Sequence, residues 1–268
     1  MPSPYRNFTS TDDWQQVQHN DSQHAVRLDL ALLDRGLSDS RSKAQRLIVQ
    51  GKVSVNGVVV SKASAKVSDD DVIAADRGDD YVSRGAYKLV GAFDLFFKDG
   101  LRPPKGLRCL DIGASTGGFC DVLLRHGAAQ VIALDVGHGQ LDPKIANDGR
   151  IIEMSGVNIR DVEVGDLPFR PEMIVSDVSF ISLTYVIPVI ARIAADDAQI
   201  VLLVKPQFEV GKGNLGKNGI VESEKLREQA LRNVIACAKS NGLDVRATGP
   251  SPIEGMHGNV EYLLYAVK

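Results

Sequence analysis

The hydrophobic positions of this chain fall into two regimes. From Val26 to Val60 they are short and mixed in period. Leu28, Leu32 and Leu33 share one helical face within Val26 to Arg35, and Gly36 stops that helix. Ser38 and Ser40 offer N-caps to a second helix, Arg41 to Val49, with Ala44, Leu47 and Ile48 inward and Arg41, Lys43 and Arg46 outward; Gly51 closes it. Two β-rich runs follow on either side of Asn56-Gly57, a dipeptide that tolerates positive φ and so favours a tight hairpin.

From Tyr81 the pattern changes to apolar runs separated by helical stretches: Leu107 to Asp111, Gln130 to Asp135, Ile151-Ile152, Glu172 to Asp177, Gln199 to Val204, Leu243 to Thr248 and Val260 to Val267. The central runs are apolar throughout, as strands covered on both faces must be. The expected fold is α/β, a doubly wound and mainly parallel sheet, with a small N-terminal α+β domain before it. The boundaries read as a polar, disordered leader over 1–25, the small domain over 26–76, a linker over 77–82 where acids break the apolar pattern, and the large domain over 83–268.

Bulk properties narrow the class. No apolar run in the 268 residues approaches the roughly 20 that a membrane-spanning helix needs, and the N-terminus is polar with acids, so a cytoplasmic protein without membrane association is expected. Cys109, Cys120 and Cys237 form no close pair, and the five histidines show no metal-ligand spacing; no metal is expected. The net charge of −3 is uneven: eight bases oppose three acids between Arg27 and Lys66. A basic segment on an acidic chain is the footprint of a polyanion-binding surface, the bland alternative being a solvated face.

Candidate chemistry clusters at the ends of the apolar runs. Asp111-Ile-Gly-Ala-Ser-Thr-Gly-Gly-Phe119 joins the first run of the large domain to a helix, with glycines at 113, 117 and 118 allowing a sharp turn and close ligand approach. Asp135 ends the next run, where a carboxylate can hold both hydroxyls of a ribose. Gly211 to Lys217 nearly fits a phosphate-binding loop, but Asn218 stands where Ser or Thr is needed and Gly219 follows where a helix should run, so it reads as a glycine-rich loop beside the site. Lys88, Asp177, Lys205 and Glu261 are ionisable residues delivered at element ends. Ligands in open parallel sheets bind beyond the carboxyl ends of the strands, which puts Asp177 and Lys205 on the productive edge; singly, each could be a solvated terminus.

These motifs carry resemblances. "RLDLALLDRGLSDSRSKAQRLIVQGKVSVNGVVV" resembles the S-four RNA-binding module, which implies Arg41, Lys43, Arg46 and Lys52 as phosphate contacts. "DIGASTGGF" resembles the first motif of class I S-adenosylmethionine methyltransferases with a Rossmann-like sheet, and of the FtsJ-type RNA ribose methyltransferases in particular. That likeness implies S-adenosylmethionine as cofactor, held by Asp111, Gly113, Ala114, Ser115, Thr116, Gly117, Gly118 and Phe119 at its methionyl half and by Asp135 at its ribose. Asn158, with Arg160, follows the third run near the adenine; the alternative there is a capped turn. Lys88, Asp177, Lys205 and Glu261 resemble, in chain order, the Lys-Asp-Lys-Glu tetrad of that family, with Lys205 as base, Lys88 and Glu261 as tuning partners and Asp177 as the positioning group. A lysine accepts a proton only when neutral, a form that burial and a second cation favour and carboxylates oppose.

Taken with "SRGAYKLVGAF", "LDVGHGQL", "SDVSFISL", "LVKPQFEVGKG" and "GNVEY", the chain from about residue 27 to 268 is similar to the TlyA family, also labelled haemolysins. The resemblance implies 2′-O-methylation of cytidine in ribosomal RNA, with ribosomal RNA or ribosomal subunits as partners. Two other readings stay open at this point: a noncatalytic RNA-binding factor on a methyltransferase fold, and a membrane-lytic haemolysin. The first conflicts with the intact loop and tetrad, the second with the lack of a secretion signal, a transmembrane helix or a long cationic amphipathic helix in the sequence.

Overall fold

The computed structural model describes residues 25–38, 40–76 and 80–268, and it divides into two compact units, 1–80 and 81–268. The expected leader, apart from Ala25, and residues 77–79 of the expected linker lie outside the described residues.

The first unit begins with a two-residue strand, β1 (Val26–Arg27), where the sequence pattern predicts helix. Helix α1 (Leu28–Asp34) follows, then α2 (Arg41–Val49), β2 (Val53–Val55), β3 (Val58–Val59), β4 (Lys66–Val67) and β5 (Ile73–Ala75). β1 is extended because it pairs antiparallel with β4, Val26 opposite Val67. The first amides of α1 then find carbonyls across the chain instead of a side-chain cap: Leu28 N donates to Ala65 O and Asp29 N to Ala63 O. Ser40 caps α2, its Oγ accepting from Lys43 N. Asn56 and Gly57 take φ of 51° and 80°, the two left-handed residues that a two-residue hairpin between β2 and β3 requires. The core is Leu28, Leu32, Ala44, Ile48, Val53 and Val67, all buried, and the outward and inward faces of α2 are those the periodicity predicts.

The second unit is built on seven strands: β6 (Arg108–Ile112), β7 (Gln130–Asp135), β8 (Ile151–Ser155), β9 (Met173–Ser176), β10 (Gln199–Val204), β11 (Asp244–Pro250) and β12 (Tyr262–Val267). Their order is β11-β12-β10-β9-β6-β7-β8; β12 pairs antiparallel with both neighbours, and the pairs from β10 to β8 are parallel. The helices are α3 (Ala86–Phe96), α4 (Gly118–Arg125), the single turn α5 (Pro143–Ala146), α6 (Leu183–Ile193), the single turn α7 (Pro206–Glu209) and α8 (Glu224–Ser240). Alternate residues of each strand enter opposite layers. Leu110, Ile132, Ile174, Ile200 and Leu264 pack with α6 and α8, while Cys109, Val131, Val175, Val201 and Leu263 pack with α3 and α4. Such two-sided burial explains why the central runs carry no polar alternation. Tyr81 and Val82, read as linker, belong to this unit: Tyr81 is buried, with the Arg125 guanidinium over its ring, and Val82 N donates to Asp121 on α4.

Candidate active site

One edge of the seven-stranded sheet gathers the ionisable residues. Asp177 follows β9 and Lys205 follows β10, two adjacent parallel strands that end together. Glu261 precedes β12, and because β12 runs against β10, with Tyr262 opposite Val204, its beginning lies beside their ends. Lys88 comes from α3.

The four side chains form one continuous row. Lys205 Nζ lies 2.6 Å from Asp177 Oδ1; the other Asp177 oxygen is 3.6 Å from Lys88 Nζ, which lies 2.7 Å from Glu261 Oε2. Lys88, Lys205 and Glu261 are 8%, 8% and 3% exposed. Charges removed from water to this degree are tolerable only when paired, and two cations alternating with two anions meet that condition. Gln207 Nε2 donates to Glu261 Oε1 at 3.2 Å, and Lys205 Nζ donates to Ser179 Oγ at 2.8 Å. A Cβ on Gly255 would collide with the Glu261 carboxylate, so a side chain there would have to displace it. A cleft of about 430 Å³ opens beside Lys88, walled by Arg84, Gly85 and residues 254–258.

The glycine-rich loop lies next to this row. Gly113 has φ of +84°, and a Cβ there would stand 3.1 Å from the Asp177 carbonyl oxygen and 3.3 Å from Val178 Cα. Backbone against backbone leaves no room to yield, so Gly113 lets the β6 and β9 ends meet. Asp135 joins two loops: Oδ2 accepts from Ser115 N and Oδ1 from Gly137 N, both at 2.8 Å. Ser115 and Thr116 are exposed and Gly113 half-buried, whereas Ala114, Gly117, Gly118 and Phe119 are buried. Phe119 is buried in the core cluster that includes Leu89 and Leu123. The sequence pattern could not separate these roles, because a helix start inside a sheet protein is apolar on its core side whatever the loop binds.

Asp111 is sealed beneath the loop at 0% exposure. Its Oδ2 takes a thiol hydrogen bond from Cys120 at 3.1 Å, the Cys120 backbone also bonds the carboxyl, and Oδ1 lies without a partner. Burial pushes its pKa up to about 7; the Cys120 thiol works against this, and the charges of Asp177 and Asp135 add to it. Asn158 caps the 3-10 turn Ile159–Asp161, accepting from Arg160 N at 3.1 Å, which is the capped-turn alternative. The 211–219 loop contains two 3-10 turns, Lys212–Asn214 and Lys217–Gly219, with Asn218 left-handed at φ 60°, and no helix starts where a phosphate-binding loop needs one.

In the first unit, Arg41 Nε is bonded to the buried carboxylate of Asp29 at 3.0 Å and Lys43 is ion-paired to Asp80; Arg46 is exposed and Lys52 half-buried. Two of the four expected phosphate contacts therefore also serve the fold of their own unit.

Sequence reasoning passed over three features. Ser179 and Phe180 lie inside the quoted "SDVSFISL", yet neither was singled out. Phe180 is 92% exposed, left-handed at φ 66°, and its ring meets that of Phe208 at 5.2 Å. Glu209 accepts from Ser182 Oγ at 2.6 Å and Leu183 N at 2.8 Å, tying the segment after Asp177 to the segment after Lys205; burial raises its pKa against those hydrogen bonds. Proximity to a strand end was the available signal for all three. Among the described residues no helix is long and apolar enough to cross a membrane, and no group of His, Cys, Asp or Glu could hold a metal ion.

Comparison with known proteins gives the same two-part division. Residues 81–268 match the family description FtsJ-like methyltransferase, and residues 26–73 match the S4 domain. The chain is 44% identical over 242 residues to the 16S/23S rRNA (cytidine-2′-O)-methyltransferase TlyA of Mycobacterium tuberculosis, covering 90% of this chain and 89% of that one. It is 43% identical to hemolysin A of Brachyspira hyodysenteriae, covering 90% of this chain and all of that one. A solved structure of a hemolysin-named protein from Streptococcus thermophilus superposes with a TM-score of 0.69 at 39% identity, over 91% of this chain and 88% of the other. With an S4 domain ahead of an FtsJ-like methyltransferase domain and this identity along nine-tenths of its length, the chain belongs to the TlyA/hemolysin A family of FtsJ-like methyltransferases.

Proposed function

We propose that this protein transfers the methyl group of S-adenosylmethionine to the ribose 2′-hydroxyl of a cytidine in ribosomal RNA, in the cytoplasm, with the N-terminal unit holding the RNA or the ribosomal subunit. The observation that carries this reading is the unbroken row Lys205, Asp177, Lys88, Glu261 at the strand ends. The name of the Mycobacterium tuberculosis relative supports the nucleotide and the substrate.

The cofactor would supply an electrophilic methyl on a sulfonium. What the chain must add is a ribose oxygen in line with that methyl and an acceptor for its proton. Lys205 suits the acceptor role: its amine is delivered from a rigid interior strand, and Pro206 ends that strand directly after it. Asp177 fixes the amine through Oδ1 and couples it through Oδ2 to Lys88, which Glu261 holds in turn. The residues around the loop fit such a cofactor. The Asp135 carboxylate, with two of its acceptor sites on backbone amides, keeps others for ribose hydroxyls. The unpartnered Oδ1 of Asp111 is an acceptor that a cationic ligand over the loop would favour in its ionised form.

The test is methyl transfer from labelled cofactor into naked ribosomal RNA and into each purified subunit, with the product mapped by alkaline digestion. An alkali-resistant methylated cytidine dinucleotide is the expected result. Label on a base, or no label in any substrate, would overturn the reading.

A further inference from the structure

The row of ion pairs has one neighbour that reaches solvent from the Lys205 end. Ser179 is exposed, and its hydroxyl accepts a hydrogen bond from Lys205 Nζ at 2.8 Å, while Lys205 itself is 8% exposed. A charged lysine amine has three hydrogens to give. One is given to Ser179, and Asp177 Oδ1 lies 2.6 Å from the same nitrogen as its ion-pair partner. The cleft beside Lys88 is walled by Arg84, Gly85 and residues 254–258, and Ser179 is not among its walls.

The backbone around Ser179 is held in place from both sides. Phe180, the next residue, sits in the left-handed region with its ring against Phe208, a conformation that a bulky residue adopts only when its surroundings impose it. Two residues further on, Ser182 is fixed by Glu209.

We propose that Ser179 is the proton exit of the methyl-transfer site: a positioning residue that orients the Lys205 amine and passes its proton to solvent. This rests on the 2′-O-methylation reading above. In that reaction the ribose O–H bond breaks, an O–C bond forms to the methyl, and the sulfonium becomes a neutral thioether, so one proton is released per methyl transferred. Neutral Lys205 takes that proton from the hydroxyl and becomes an ammonium. The Ser179 oxygen accepts a proton from the ammonium and releases its own to water, which returns Lys205 to its neutral form for the next turnover. Atoms and charge balance with water as the final acceptor.

The experiment follows methyl transfer and proton appearance together in a single turnover, with excess enzyme, labelled cofactor and a pH-indicator dye in weak buffer. In the wild-type protein the two signals should coincide. In Ser179→Ala methyl transfer should slow by about threefold, while proton appearance falls about tenfold behind it and is restored by added imidazole as a diffusible base. Ser179→Thr, which keeps a hydroxyl, should bring the signals back together. Cofactor and RNA affinities should stay within about twofold in all variants, and Ser179→Gly, which removes the hydroxyl and adds no atom, repeats the measurement should the alanine variant lose cofactor binding. Coincident signals in the alanine and glycine variants overturn the proton exit, even where methyl transfer is slower. Absence of 2′-O-methyl product from the wild-type protein overturns the underlying function instead.

Discussion

Two aspartates among the described residues are wholly sealed from solvent, one in each unit, and they are opposite in every other respect. Asp29 in the first unit is gripped by Arg27 through both oxygens, by Arg41 and by Gln45, and these hydrogen bonds hold its carboxyl well below the ordinary carboxylate range. Asp111 in the second is bonded by Cys120 alone, through its thiol and its backbone, with Oδ1 left without a partner, and burial pushes its pKa up to about 7. A buried charge with a full set of partners is a structural fixture, whereas one left without partners is a cost that the fold bears beside a site. The tetrad is a third arrangement, its four charges paired with one another and Lys205 at one end of the row also bonded to exposed Ser179.

The largest expected effect tests whether complete pairing implies a purely structural role. Lys205→Ala should lower the rate of methyl transfer by about 10²- to 10⁴-fold, the usual size of a general-base contribution, with cofactor and RNA binding retained. Lys205→Arg should not recover the rate, because a guanidinium keeps its proton at any working pH. Single-turnover rates and calorimetric affinities measured on the same preparations check both statements. Near-normal methylation by the arginine variant would make Lys205 an electrostatic fixture like Arg27, and the base role would pass to Lys88.

The two aspartates should also give stability slopes of opposite sign. Asp111 is raised in the folded state, so between its unfolded pKa near 4 and its folded value of about 7 the native protein holds the extra proton. Stability of the second unit should therefore fall as pH rises through that window, by on the order of a few kcal/mol, and level off above it. Asp111→Asn should abolish the slope and be the more stable protein at pH 8, while losing cofactor affinity. Asp29 is depressed in the folded state, so its contribution is present above its unfolded pKa and is lost only as pH falls through more acidic values. Denaturant melts from pH 4 to 8 check the sign; a slope that rises with pH between 4 and 7 in the wild type and survives in Asp111→Asn would refute the assignment.

A smaller effect is expected at Asp135, whose role is read from its two backbone hydrogen bonds. Asp135→Ala should weaken cofactor binding by roughly 1.5 to 3 kcal/mol, the range for a hydrogen bond to a charged group, and leave RNA affinity alone. Calorimetry with the cofactor product is the measurement, and unchanged affinity would remove Asp135 from the site.

What the sequence revealed follows the same physics. β7 and β10 are legible to the residue because the interior of such a strand is apolar on both faces; Asp177 and Lys205 stood out as charges immediately after apolar runs, and Lys88 and Glu261 joined them through the resemblance to the family's tetrad. The two-residue strands β1 and β4 were not legible, since two residues carry no period, and Val26–Arg27 was absorbed into the helix that follows. The reversal of β12 was equally hidden, although it is what sets Glu261 beside Lys205. Asp29 and Asp111 look alike in the sequence, each an acid directly after a leucine, and only the fold shows that three partners converge on one and none on the free oxygen of the other. Exposed Ser179 and Phe180 left no apolar signature at all.

The smallest effect separates two arginines of the same helix face. Arg41 gives its Nε to Asp29 and presents the rest of its guanidinium outward, whereas Arg46 is exposed. Each lost phosphate contact should lower the slope of log affinity against log salt by about 0.7 to 0.9, so Arg41→Ala and Arg46→Ala are expected to act alike on RNA binding, each weakening it a few-fold at moderate salt. They should differ in stability. Removing Arg41 leaves Asp29 with Arg27 and Gln45 only, a loss of one partly exposed pair that should cost less than about 1 kcal/mol, while Arg46→Ala should leave the melting midpoint where it was. Filter binding at several salt concentrations and thermal melts of the same three proteins read out both differences. Equal stability in the two variants would mean that Arg27 and Gln45 satisfy Asp29 by themselves, and that Arg41 is held by the carboxylate solely to present its charge.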